Sequence, residues 1–255
     1  MLTANGPQAT RRVFRALSFF SLMLLACAAC ARQGTSAPMD TAKTFHDSAS
    51  AVLAEAVKAG DAARIKELVA GGANPNAQGE KGLTMLQWAM LNQSRAGFDA
   101  LLAAGADPAR GNDNGVTAVH LAAMADTDYY LRKLLEKGAS ADTPNTVTGA
   151  TPLMAALMAE RADHADTLLK AGAKIAAADR QGNTALHLAA KINETSRVLQ
   201  LLEAGADPNA KNAQGVTFQR YLFMTPETSL NLKSKREREQ VREWLEAHNI
   251  EVEAG

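Results

Sequence analysis

DRQGNTALHLAAKINETSRVLQLLEAGADPN, Asp179 to Asn209, is the stretch that decides the fold. Turn residues at either end enclose two short runs with helical spacing. The same text returns along the chain. Gly82, Gly115, Gly149, Gly182 and Gly215 each stand two residues before a threonine (Thr84, Thr117, Thr151, Thr184 and Thr217). A Gly-Ala pair begins at Gly72, Gly105, Gly138, Gly172 and Gly205. Both ladders step by 33 residues, with a single step of 34. A period of this length marks modules that cannot bury an apolar face alone and therefore stack on their neighbours.

Residues 182–190, Gly-Asn-Thr-Ala-Leu-His-Leu-Ala-Ala, and 201–209, Leu-Leu-Glu-Ala-Gly-Ala-Asp-Pro-Asn, resemble the ankyrin repeat. The resemblance runs over roughly residues 50–217. It implies an all-α ankyrin-repeat solenoid of about six stacked helix-turn-helix units joined by hairpin-like fingers, with repeats starting near 49, 79, 112, 146, 179 and 212. The last unit is degenerate and caps the array, because Phe218, Tyr221, Leu222 and Phe223 replace the small residues that let a further module stack. Ser234 to His248 reads as a charged closing helix whose basic run, Lys233, Lys235, Arg236 and Arg238, is a solvated face. His120 and His187 fall where the family carries its Thr-Pro-Leu-His histidine, which implies a structural bond from imidazole to backbone. Gln87, Met154 and Gln219 hold the equivalent place elsewhere, so no ladder of histidine ligands exists.

The first thirty residues are of another kind. Arg11, Arg12 and Arg15 precede an apolar run over 16–26, and no acid occurs before Asp40. That run is too short for a bilayer core, which needs about 20 residues; it reads as an export signal over 1–26. Leu24-Leu25-Ala26-Cys27 resembles a bacterial lipobox, implying lipidation of Cys27 and a periplasmic protein anchored to the outer membrane. Plain cleavage after Ala28 or Ala31 is the alternative, and residues 10–14 also resemble a twin-arginine signal, although Arg15 stands where an apolar residue is expected. Residues 27–48 read as a flexible tether. About 20 such residues reach on the order of 25 Å. The 27 basic and 27 acidic side chains balance, and loss of the three signal arginines leaves the rest mildly acidic. That disfavours nucleic acid as a partner.

No motif for an enzyme is found: there is no Gly-x-Ser-x-Gly, P-loop or dinucleotide fingerprint, and no spaced histidine pair. The expectation is a non-enzymatic module without cofactor or metal, monomeric when unbound, whose partner is another protein. The family binds through finger tips and the concave side of its first helices. By register this implies Leu83, Leu91, Asp113, Asn114, Val116, Met124, Val147, Met158, Arg180, Gln181, Asn183, Lys191 and Ile192. Among them Leu83, Leu91, Val116, Met124, Val147, Met158 and Ile192 are expected as an apolar stripe open to water, a surface that calls for a partner. Exported relatives suggest an immunity protein neutralising a toxin; alternatives are an envelope stress factor supporting enzymes such as catalase, or a scaffold for envelope machinery.

Overall fold

A threonine opens the first helix of each regular repeat. The hydroxyls of Thr84, Thr117 and Thr151 accept from the amides of Gln87, His120 and Met154 at 3.3, 3.4 and 3.3 Å, satisfying donors that a helix start leaves orphaned. The computed structural model describes residues 40–253. One turn of helix, α1 (Thr41–Thr44), leads into the pair α2 (Ser48–Ala59) and α3 (Ala62–Ala70). Four further pairs follow: α4 (Met85–Leu91) with α5 (Arg95–Ala103), α6 (Ala118–Met124) with α7 (Tyr129–Glu136), α8 (Pro152–Met158) with α9 (Ala162–Lys170), and α10 (Ala185–Lys191) with α11 (Thr195–Glu203). The last pair is α12 (Phe218–Leu222) with α13 (Leu232–Ala247). Residues from Thr41 onward pack as one unit, each first helix lying against the next. Among the described residues there is no named strand. The fingers close with single antiparallel bridges, Gln78–Thr84, Gly111–Thr117 and Ala178–Thr184.

The finger glycines have a steric reason. Gly115 has φ +74°, and a Cβ there would lie 2.5 Å from Asn145 Oδ1 and 2.7 Å from the Thr146 amide of the next finger. The fingers approach that closely because they bond to one another. Asp113 N donates to Lys81 O at 3.1 Å, Arg180 N to Thr148 O at 2.9 Å and Ala213 N to Gln181 O at 2.8 Å. At the repeat that carries the extra residue, Asn145 Nδ2 stands in, donating to Asn114 O at 3.1 Å.

Alanine keeps the first helices close together: Ala89, Ala122, Ala123, Ala156, Ala189 and Ala190 are wholly buried. The second helices fill the space between repeats with Phe98, Leu101, Leu131, Leu134, Leu168 and Leu201, all fully enclosed. Each such leucine contributes roughly 2 kcal/mol of transfer free energy. Stacking is also fastened at the ends of the first helices. Ser94 Oγ donates to Val57 O at 2.6 Å, His164 Nδ1 bonds Ala123 O at 3.0 Å, and Arg161 Nε donates to Met124 O at 3.3 Å. The carbonyls of Ala123 and Met124 lie in the last turn of α6, where a helix runs out of its own donors, while Val57 O also accepts from Gly60 N at 3.1 Å.

Both ends of the array differ from expectation. Residues 41–48 do not belong to the tether: α1 sits there, and Phe45 is buried edge-on against Trp88, ring centroids 5.5 Å apart. The opening repeat has no finger of its own, and Phe45 with the large Trp88 occupies that space. At the other end Gln219 Nε2 donates to Glu251 O at 3.0 Å and Gln219 Oε1 accepts from Glu253 N at 3.0 Å. The closing tail thus supplies the bonds that a seventh finger would make. Arg238 is buried, not solvated, donating to Thr225 O at 2.7 Å and lying 5.9 Å from the Phe223 ring. The export signal expected over 1–26, the lipidation expected at Cys27 and the greater part of the expected tether fall outside the described residues.

Candidate functional site

The histidines fasten the fold. His120 Nδ1 faces the Thr117 hydroxyl at 2.8 Å, while Nε2 donates to Ala150 O of the next finger at 2.9 Å. His187 repeats this with Thr184 at 2.9 Å and Val216 O at 3.1 Å. A carbonyl on Nε2 and an amide donor on Nδ1 select the neutral ring protonated at Nε2. Gln87 makes the same bond without titrating, Nε2 to Val116 O at 2.7 Å.

Burial holds both histidines below the ordinary value of 6.5, with the backbone bonds pulling the other way. A base that binds its proton less readily when folded stabilises the fold fully above its unfolded pKa. That contribution is lost as pH falls through the lower, folded value. Stability of the wild type is therefore expected to decline as the pH falls below the ordinary histidine value of 6.5. In the double variant His120→Gln, His187→Gln, equilibrium urea unfolding is expected to show a shallower pH dependence, since glutamine keeps the carbonyl bond and cannot charge.

The residues expected to meet a partner divide into three groups. Leu91 and Val147 are exposed, at 40% and 48%, and Asp113, Asn114, Arg180, Gln181 and Lys191 are exposed as well. Leu83, Val116, Met124, Met158 and Ile192 are half-buried, so the stripe is only partly open, because the next repeat covers one side of each first helix. Asn183 is a correction. It is 2% exposed and faces inward: its Nδ2 donates to the Asp179 carboxylate at 3.0 and 3.2 Å. Its Oδ1 accepts from Lys191 Nζ at 2.7 Å and from Asn212 Nδ2 at 3.0 Å. An amide with both ends engaged inside the stack offers nothing to a partner.

One row of positions organises this face. Leu91, Met124, Met158 and Lys191 each stand seven residues after the opening threonine of their repeat. The adjacent first helices carry them side by side. The row is apolar over three repeats and cationic at the fourth. Register did not single out Asn212 and Gln214, which line a small recess with Lys191, nor Tyr221, four positions after Thr217, whose ring lies 4.5 Å from the lysine's ammonium.

Among the described residues no group of three or more histidines, cysteines and acids could hold a metal ion. No described helix is long and apolar enough to cross a membrane. On the second helices Tyr129 donates to Asp99 at 2.6 Å, and that bond, with burial, pushes its pKa up to about 12, the wrong direction for a nucleophile.

Three comparisons bear on this geometry. The family profile described as ankyrin repeats (3 copies) matches residues 53–145, 98–179 and 129–212. The chain is similar to Protein PhlB of Serratia liquefaciens, 41% identical over 184 residues, which are 72% of this chain and 81% of that protein. Inversin of Gallus gallus is 44% identical over 69 residues, 27% of this chain and 6% of that one. The crystal structure of the ankyrin repeat domain of Bcl-3, a unique member of the IkappaB protein family, superposes with TM-score 0.64 at 28% identity, covering 74% of this chain and 81% of that one.

Proposed function

The chain belongs to the ankyrin-repeat family, and from that premise we propose that it captures one partner protein on the face built from its fingers and first helices. The fold is in general a non-enzymatic scaffold for protein interaction. The observation that carries the reading is the row Leu91, Met124, Met158, with Val116 and Val147 beside it. These apolar side chains are left at least partly open where most of α4, α6, α8 and α10 is buried. Methionine adapts its shape to an incoming surface at little cost, which suits the centre of such a row. The exposed polar finger residues Asp113, Asn114, Arg180 and Gln181 form the rim that excludes water. A preformed stack loses little conformational freedom on docking, so apolar burial is retained as affinity.

The same proposal puts the chain in the periplasm, held by lipid on Cys27 at the outer membrane, as an immunity protein that neutralises a toxin by occupying its surface. The signal-like residues 1–26 and the lipobox-like residues 24–27 support the location. The absence of catalytic motifs in the sequence favours inhibition by occupancy. The test is the double variant Met124→Glu, Met158→Glu, used as bait in periplasmic extract beside the wild type. Two carboxylates placed in the apolar row are expected to weaken capture at least tenfold, about 1.4 kcal/mol, while the unfolding midpoint hardly moves. The captured protein's activity is expected to fall stoichiometrically with wild type and to be spared by the variant. Undiminished capture by the variant refutes the face.

A further inference from the structure

A small recess lies between the fifth and sixth repeats. It has a volume of about 200 Å³ and is lined by Gln181, Asn183, Lys191, Asn212, Ala213 and Gln214. Ligand pockets for whole small molecules run to roughly 300–1,000 Å³, so this one has room for a single side chain. Lys191 Nζ sits in it 4.5 Å over the Tyr221 ring and donates to a neutral amide oxygen, Asn183 Oδ1, at 2.7 Å. Among the described residues no carboxylate stands within 4.0 Å of that ammonium. Asp179, the acid nearest in the finger, is engaged by Asn183 and by the amides of Gln181 and Asn183.

The surrounding hydrogen bonds fix which way every amide points. Asn212 Oδ1 accepts from the backbone of Gln214 at 3.0 Å, so its Nδ2 must donate, to Asn183 Oδ1 at 3.0 Å and to the Tyr221 hydroxyl at 2.8 Å. Tyr221 therefore donates onward to Gln214 Oε1 at 3.1 Å. Gln181 Oε1 likewise accepts from Asn183 Nδ2, at 3.4 Å. Asn183 Oδ1 and Asn212 Oδ1 each accept two bonds inside the network and are full. A visitor meets the spare N–H bonds of Lys191 and the NH2 groups of Gln214 and Gln181, donors that outnumber the one lone pair left on each glutamine oxygen. Burial lowers the lysine's pKa, with Asp179 opposing, as expected of an ammonium short of compensation.

We propose that this recess receives the carboxylate of an acidic side chain on the partner protein, while the apolar row beside it takes that partner's hydrophobic residues. The inference rests on the capture reading above. The continuity of Lys191 with Leu91, Met124 and Met158 in one register row argues for a protein side chain and not a free anion. A charge-assisted contact at one end of an apolar row also fixes the direction in which the partner lies.

The experiment uses the full chain, labelled for NMR, titrated with N-acetyl-glutamic acid α-amide. Its glutamine analogue and inorganic phosphate are separate arms. The expected result is saturable movement of the side-chain amide signals of Gln181 and Gln214, at least tenfold weaker with the glutamine analogue, weaker with phosphate, and lost in Lys191→Met. Equal response to the glutamine analogue, or no saturation, overturns the proposal, and neither arm needs a variant that must fold. Stronger binding of phosphate also overturns it, by making the recess a receptor for a free anion. The probe touches only the recess. Failure here leaves the capture test with Met124→Glu, Met158→Glu standing; failure there overturns the partner protein as the source of the carboxylate, even where the recess binds the probe.

Discussion

Gly97→Ala is expected to lower the stability of the array by about 3 kcal/mol, at the upper end of what overpacking costs. Nothing in the residue's own backbone demands glycine, since it lies inside α5 away from the left-handed region. The demand comes from the neighbouring repeat. A Cβ at position 97 would stand 2.1 Å from Val57 O and 2.9 Å from Val57 C, with Ser94 Oγ at 2.7 Å. The first two are backbone atoms at the end of α2, and the third already donates to Val57 O at 2.6 Å. None can swing away as a flexible side chain would. Alanine gains about 1 kcal/mol of helix propensity over glycine, which offsets part of the clash and cannot reverse it. Gly71→Ala is the control. Its φ of −79° suits any residue and its nearest contacts are at 3.4 Å, so a change within about 0.5 kcal/mol is expected. Urea unfolding of the two variants beside the wild type measures both.

Trp88→Ala is expected to cost about 4 kcal/mol. The side chain is wholly buried, carries the Phe45 ring on one side, and donates from its indole nitrogen to Ala54 O at 2.9 Å. Truncation removes the largest enclosed side chain of the array together with the indole's bond, while Ala54 O, inside α2, keeps its own helical donor. Trp88→Phe keeps most of the volume and isolates the indole bond's share, about 1 kcal/mol. Both positions act on α2, so the double change Gly97→Ala, Trp88→Ala is expected to cost less than the sum of its parts. Neighbour-only stacking adds a spatial signature: amides of residues 41–70 should exchange first, while the repeats from Thr151 onward keep their protection.

The sequence shows the repeats plainly because their constraints are local and recur. A threonine cap, a left-handed glycine and alanines at the stacking face each leave a letter at a fixed interval. What escapes it depends on partners far along the chain or on a neighbour that the repeat lacks. Asn183 looks like any finger residue until Lys191, eight residues on, and Asn212, 29 residues on, are brought to its oxygen. Arg238 sits in a run of charges and is nonetheless buried, since only the fold sets Phe223 and Thr225 beside it. Phe45 lies in a polar stretch whose average composition hides one buried ring. The positions of the row Leu91, Met124 and Met158 are legible by register. The row's degree of opening is not, because the shielding of Met124 and Met158 is a property of the stack.

Site-specific photocrosslinking tests the central claim most directly. Benzoylphenylalanine is placed in cells at Leu91, Met124 or Met158 on the first-helix face, and at the exposed Lys66, Arg132 or Glu203 on the second helices. If the row is the capture surface, the first three positions yield one shared crosslinked species and the second three do not. Crosslinks confined to the second helices, or equal at all six positions, would contradict it.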